Sequence, residues 1–130
     1  MVEQERKPRR VKQVVGLHGE DLAAAELERQ GMRVLARNWR CALGELDIVA
    51  LESAGDQHTL VFCEVKCRTG LGFGDPLEAI TYAKVRKLRQ LAAEWLSTHG
   101  SRPAAIRLDA VGVVLTRGQA PVVRHVRGIG

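Results

Sequence analysis

Aromatic side chains are scarce in this chain: two Phe, two Trp and one Tyr make up 4% of its 130 residues. So few rings offer no obvious base-stacking platform, which argues against a dedicated single-strand nucleic-acid binder. No stretch approaches the ~20 apolar residues of a membrane span, and no membrane partner is expected. Residues 1–7 are polar and charged with no apolar run behind them, so no secretory leader is expected and the reading is cytoplasmic. Cysteine is sparse too. Cys41, Cys63 and Cys67 include no CxxC pair, and an extended strand holds Cys63 and Cys67 too far apart for a disulfide. His18, His58, His99 and His125 are scattered, unlike the ligands of a zinc site. Packed thiols in a reducing compartment are the expectation. The segment Thr69-Gly70-Leu71-Gly72-Phe73-Gly74 is glycine-rich but lacks the GxxxxGK[ST] pattern, which argues against a nucleoside-triphosphate site and for a flexible loop.

Acidic residues thin out along the chain. Beyond His99, Arg102, Arg107, Arg117, Arg124 and Arg127 are opposed only by Asp109. Arg6, Lys7, Arg9, Arg10 and Lys12 form a second basic cluster, and Lys84, Arg86, Lys87 and Arg89 a third. The net charge is +5 and the isoelectric point about 9.6. Such an excess favours a polyanionic partner, most simply nucleic acid.

The length fits one domain with a single core. Residues 1–12, charged and interrupted by Pro8, read as a disordered basic tail ahead of a single domain over 13–130. Residues 14–30 have the spacing of an amphipathic helix closed by Gly31. Leu17, Glu20, Ala23, Ala24 and Leu27 share its apolar face, where Glu20 is out of place. Strands are expected at 32–40, 45–51 and 59–68, the last two separated by the turn signal Ser53-Ala54-Gly55-Asp56. In the second strand Leu46, Ile48 and Ala50 fall on one side, and Glu45, Asp47, Val49 and Leu51 on the other. In the third, Leu60, Phe62, Glu64, Lys66 and Arg68 oppose Val61, Cys63, Val65 and Cys67. Both faces begin apolar, as in a central strand covered on each side. Asp75 as N-cap, Pro76 at N1 and Glu78 at N3 predict one long helix to about His99. Strands at 106–115 and 121–127, the latter at the sheet edge, complete an α-β-β-β-α-β-β order, an α/β sandwich with a central sheet flanked by helices.

Glu45-Leu46-Asp47 and Glu64-Val65-Lys66 are the chain's most informative segments, with Asp47 and Glu64 seventeen positions apart. Half-buried strands seldom carry such groups without a partner, because burying a charge unpaired costs several kcal/mol. Phosphodiester hydrolysis needs an activated water, stabilisation of charge on the phosphorus oxygens and help for the leaving oxygen. Mg²⁺ (or Mn²⁺) supplies much of this from one or two carboxylates, keeping several waters. If neighbouring strands bring Asp47 and Glu64 side by side, the two acids repel and a divalent cation removes the conflict. Lys66 leaves the same face as Glu64 and is suited to orienting water or neutralising charge. The Val65 carbonyl is a candidate further ligand, Glu20 a candidate third acid and Glu45 a fourth. Arg68, Lys84, Arg86 and Lys87 are candidate phosphate contacts. A competing explanation is a plain ladder in which Asp47 or Glu45 pairs with Lys66 or Arg68. Likewise, a solvated helix face explains the basic helix, packing explains Tyr82, and surface exposure explains His18.

Gly44-Glu45-Leu46-Asp47-Ile48-Val49, Val61-Phe62-Cys63-Glu64-Val65-Lys66-Cys67-Arg68 and Phe73-Gly74-Asp75-Pro76 resemble the YraN-like family of uncharacterised bacterial proteins. So do Gly19-Glu20 with Ala23-Ala24, and Arg37-Asn38-Trp39-Arg40. The likeness runs from about residue 14 to 115. It implies a restriction-endonuclease-like fold of the PD-(D/E)XK nuclease superfamily, near archaeal Holliday-junction resolvases. It further implies an Mg²⁺-dependent site with Asp47 as first acid, Glu64 and Lys66 as the ExK pair, and Glu20 as the helix-borne glutamate. Leu46 stands where that pattern has proline. DNA, branched or structured, is the implied substrate, and a homodimer the implied assembly. Two other classes stay open on the residues alone: a nucleic-acid-binding module that does not cut, and a scaffold using the charged edge for a protein.

Overall fold

The computed structural model describes residues 11–70 and 75–130, without the side chains of 11–17. The tail expected over 1–12 therefore lies, over 1–10, outside the described residues, as do 71–74 of the glycine-rich loop and the side chain of Leu17. Helix α1 (Val11–Arg29) is followed by β1 (Arg33–Cys41), β2 (Gly44–Ala54), β3 (Gln57–Thr69), a 3₁₀ turn (Pro76–Ala79), α2 (Tyr82–His99), β4 (Ala105–Leu115) and β5 (Val122–Val126). The five strands form one mixed sheet in the order β1-β2-β3-β4-β5. Hairpins join β1 to β2 and β2 to β3 antiparallel, while β3 and β4 run parallel. A parallel pair needs a long crossover, and the segment carrying α2 provides it. The fold is thus the expected α/β sandwich, with β5 at an edge.

Two apolar layers hold it together. On one face α1 contributes Ala23, Ala24 and Leu27 against Ile48, Ala50, Val61, Cys63, Val111 and Val113. On the other, Leu88, Leu91, Ala92 and Trp95 of α2 pack on Leu46, Val49, Leu60, Phe62 and Leu108. β3 therefore alternates as expected and is covered on both sides. Phe62 meets Trp95 edge-on, and Trp95 stacks on His99, so two of the scarce aromatic side chains are spent in this layer. Gly19 lets α1 lie close to β3, since a Cβ there would stand 2.7 Å from Cys67 Sγ. All three cysteines are thiols. Gly31, at φ +93°, ends α1 with the Met32 N–H donating to the Leu27 carbonyl.

Two expectations are corrected. The long helix from Asp75 is broken in two. Asp75 caps only a single turn, its Oδ1 accepting the Leu77 N–H at 2.9 Å. Ile80 and Thr81 are then extended, and Thr81 caps α2 by accepting the Lys84 N–H on its hydroxyl. Two consecutive β-branched residues favour extended backbone, and a threonine side chain offers the helix a fresh start. The second correction concerns β2. Leu46 packs with Val49 on the α2 side, not with Ile48 and Ala50. Alternation breaks because the β2–β3 ladder ends at Ile48 and Cys63, and because Asn38, opposite Asp47 in β1, has φ +53°.

Asp109, read from the sequence only as a lone acid among arginines, is a fully buried hub. Arg107 grips it through Nε and Nη2 at 2.8 and 2.9 Å, His125 Nε2 lies 2.7 Å away, and the Gly128 N–H donates at 3.0 Å. Glu52 and Arg127 extend the network outward. Burial raises the Asp109 pKa, but the His125, Arg107 and Gly128 bonds outweigh it and hold the carboxyl down at about 2. A depressed carboxyl stabilises the fold above its unfolded pKa and loses that contribution as pH falls. Stability should therefore drop by about 2 kcal/mol as pH falls from 4 toward 2. Asp109→Ala should cost roughly 3–5 kcal/mol at pH 7, because it leaves Arg107 and His125 facing a hole. Denaturant titrations of both proteins at pH 7, 4 and 2 check this, and equal stabilities at pH 7 would refute it.

Candidate functional site

The site lies where β2 and β3 part. One residue past the last rung, Asp47 Oδ2 accepts the Val65 N–H at 2.8 Å. A carboxylate thus replaces the backbone carbonyl that an intact ladder would supply, and the β3 donor stays satisfied. Among the described residues no hydrogen bond reaches Asp47 Oδ1. Glu64 and Lys66 leave β3 toward α2, and Lys66 Nζ stands 3.0 Å from Glu64 Oε1. The cross-strand alternative is not what forms. Glu45 pairs with Arg40 at 3.0 Å, and among the described residues neither Glu45 nor Asp47 forms an ion pair with Lys66 or Arg68.

Electrostatics at this point are lopsided. Burial pushes Asp47 up to about 7, and the Glu64 charge adds to it, followed by Glu20 and Glu45. The Val65 bond works the other way. Burial pulls the Lys66 ammonium down, but its bond to Glu64 and the charges of Glu64 and Asp47 raise it overall, so it stays protonated. The Lys66 charge in turn depresses Lys84, an exposed neighbour on the first turn of α2. Glu45, Glu64, Lys66, Lys84 and Lys87, with Leu88 and Leu91 as apolar lining, surround a cavity of about 180 Å³. Hence the late start of α2 matters, because it sets Lys84 and Lys87 beside the acids.

Glu20 is 6% exposed on α1, as its place on an apolar helix face implied. Burial raises its pKa against the opposing bonds from Arg37 and Asn38. The sequence reading did not assign those two residues to the site. Their signal was there: asparagine tolerates left-handed backbone better than other non-glycine residues. Of the basic candidates, Lys84 and Lys87 line the cavity, whereas Arg68 and Arg86 are exposed and do not. His18 is exposed and Tyr82 is 85% exposed, so neither packing nor contact with the acids describes them. Among the described residues no three His, Cys, Asp or Glu side chains are gathered closely enough to hold a metal by themselves. No helix among them is long and apolar enough to cross a membrane.

The profile of a family described as "Uncharacterised protein family UPF0102" matches residues 19–113. A UPF0102 protein of Beutenbergia cavernae is 48% identical over 121 residues, 93% of this chain and 99% of that one. One from Mycobacterium avium is 51% identical over 116 residues, 89% of each chain. Among solved structures, Pyrococcus furiosus SfsA in complex with Ca²⁺ is similar at 14% identity and a TM-score of 0.35, over 90% of this chain and 64% of that one.

A carboxyl whose pKa is raised by folding favours the fold while protonated. Its contribution is complete below about pH 4 and lost as pH rises through about 7. Asp47→Asn keeps an acceptor for the Val65 N–H and removes the charge. In chelator-treated protein the variant should match the wild type near pH 4 and exceed it at pH 8 by roughly 2–4 kcal/mol. Urea denaturation across that range measures the difference, and parallel stability curves would contradict it.

Proposed function

The chain belongs to the UPF0102 family, and we propose that it is a metal-dependent nuclease that hydrolyses phosphodiester bonds in DNA, branched or structured DNA above all. The single observation that carries this reading is the half-buried Asp47, which forms no ion pair among the described residues, beside Glu64. One oxygen is bound to Val65 while the other takes no hydrogen bond among the described residues, and three further carboxylates add repulsion. Such a group fits a hard divalent cation. Two carboxylates are a normal protein contribution to Mg²⁺, whose remaining positions go to water and substrate phosphate. Asp47 and Glu64 would hold Mg²⁺ (or Mn²⁺), with the Val65 carbonyl as a further ligand. Once bound, the ion supplies an activated water and relief of charge at the reacting phosphate.

The chain's own residues do the rest. Lys66, kept cationic 3.0 Å from Glu64, orients the water or meets charge developing on the phosphorus oxygens. Lys84 and Lys87 hold flanking phosphates at the cavity mouth, and Arg68 and Arg86 extend the basic surface around it. Two neighbouring ammoniums, Lys66 and Lys84, repel unless an anion lies between them, so they favour a phosphate there. Glu20 serves as a third acid from the opposite layer. The resolvase-like pattern of these residues supports a junction-like substrate and a homodimer.

Incubating the protein with junction, flap, duplex and single-stranded DNA and with RNA, in Mg²⁺ or Mn²⁺, tests the reading. Cleavage of at least one structured DNA is expected, lost on chelation. Asp47→Ala, Glu64→Ala and Lys66→Ala should each lower kcat by ~10²-fold or more. Replacing both Lys84 and Lys87 by Ala should chiefly raise KM and reduce the salt slope of binding by roughly 2. Activity surviving Asp47→Ala and Lys66→Ala would defeat the site. Metal-independent binding without cleavage of any substrate would instead favour a non-catalytic nucleic-acid-binding module.

A further inference from the structure

The cavity of about 180 Å³ beside the first turns of α2 brings three ammoniums together, those of Lys66, Lys84 and Lys87. Its two acids are already taken, Glu64 by Lys66 and Glu45 by Arg40, each at 3.0 Å. Lys84 and Lys87 form no ion pair among the described residues. The Lys66 charge is near enough to depress Lys84, and the opposing pull of Glu64 does not cancel it. Gly44 leaves the start of β2 bare where the Lys87 stem passes, since a Cβ there would stand 3.6 Å from Lys87 Cε. The cavity is therefore walled by cations whose charge the surrounding acids do not balance.

Solvent alone explains a basic residue on an outer helix face, and Arg86 and Arg89 are exposed in that way. It does not explain two unpaired lysines that border the same space as a third. Lys84 and Lys87 stand i, i+3 on α2 and so share one face. A groove that tracks a strand spreads its cations along the backbone, from one phosphate to the next. Here the cations bound a single volume, which suits one anion of high charge. At pH 7 a phosphomonoester carries a charge of about −1.5 to −2 on three acceptor oxygens, whereas a linkage inside a strand carries about −1. Two unopposed ammoniums match the first. Leu88 and Leu91, buried in the same wall, offer an apolar surface to the sugar of a terminal nucleotide.

We propose that this cavity seats the terminal phosphomonoester of a nucleic-acid strand, with Lys84 and Lys87 as its paired cations and Leu88 and Leu91 against the last sugar. The inference rests on the reading of this site as one that acts on nucleic acid. It narrows the phosphate that the two lysines hold to a strand end, and so names the substrate class as DNA with a phosphorylated free end.

Binding without catalysis tests it. Duplexes carrying a 5′ or a 3′ flap, each with its free end phosphorylated or left as a hydroxyl, are titrated in chelator at fixed salt. One of the two phosphorylated flaps should bind more tightly than its hydroxyl counterpart by ~10-fold or more, and the pair of arms identifies which end is read. Replacing both Lys84 and Lys87 by Ala should abolish that preference. Arg86→Ala should weaken phosphorylated and hydroxyl flaps alike and leave their ratio unchanged. A preference that survives the double substitution, or that Arg86→Ala removes equally, would overturn the proposal. If every flap binds and the end group makes no difference, this inference fails and the nucleic-acid reading stands. If no flap binds at all, both fail together.

Discussion

A carboxylate stands in for a rung of the sheet. Asp47 takes the Val65 N–H at the point where β2 and β3 separate, and most of what is distinctive here depends on that exchange. An N–H left bare inside a sheet costs about as much as a lost hydrogen bond, so the strands can part only if something accepts it. A neutral acceptor would have sufficed. An aspartate brings a charge as well, into a half-buried place that Glu64, Glu45 and Glu20 already make negative. The fold thereby keeps a local conflict that protonation of Asp47 relieves.

Both layers of the sandwich converge on this point. From one side, Gly19 allows α1 to approach β3 closely enough for the next residue, Glu20, to be buried near the acids. From the other, the interruption at Ile80 and Thr81 delays α2, and its first turns deliver Lys84 and Lys87 to the cavity lined by Glu45, Glu64 and Lys66. The sheet contributes Asp47, Glu64 and Lys66. Asp109, fully buried on β4 with Arg107, His125 and Gly128, shows the contrasting treatment of an acid. Its oxygens are saturated and its pKa is held at about 2, whereas Asp47 is pushed up to about 7. The two aspartates, one fully buried and one half-buried in the same sheet, differ because one was given cations and the other more acids.

Much of this was legible in the order of residues. Glu20 on an apolar helix face, the acids at the ends of apolar strands, and a basic second helix are periodicity arguments. Periodicity reports which side of an element a residue occupies. The failures came where periodicity stops. Leu46 changed sides because Asn38 and Asp47 interrupt alternation in paired strands, and a rule of strict twos does not foresee that. The second helix was read as continuous because Asp75-Pro76 is a strong start, while the competing cap at Thr81 became visible only with backbone angles. Asp109 looked solitary because, Arg107 apart, its partners lie on β5 and just beyond it.

The sequence by itself determined the α/β order, the two apolar layers and the identities of the charged residues, since these follow from local spacing and composition. Only the tertiary structure decided how those charges meet. It gave Lys66 to Glu64, Arg40 to Glu45, and a pair of donors to one oxygen of Glu20. It left Asp47 with a backbone N–H and, among the described residues, no ion pair. The reason is physical: a charge's state depends on what lies within a few ångströms of it and how much water remains, and neither quantity is local in the chain.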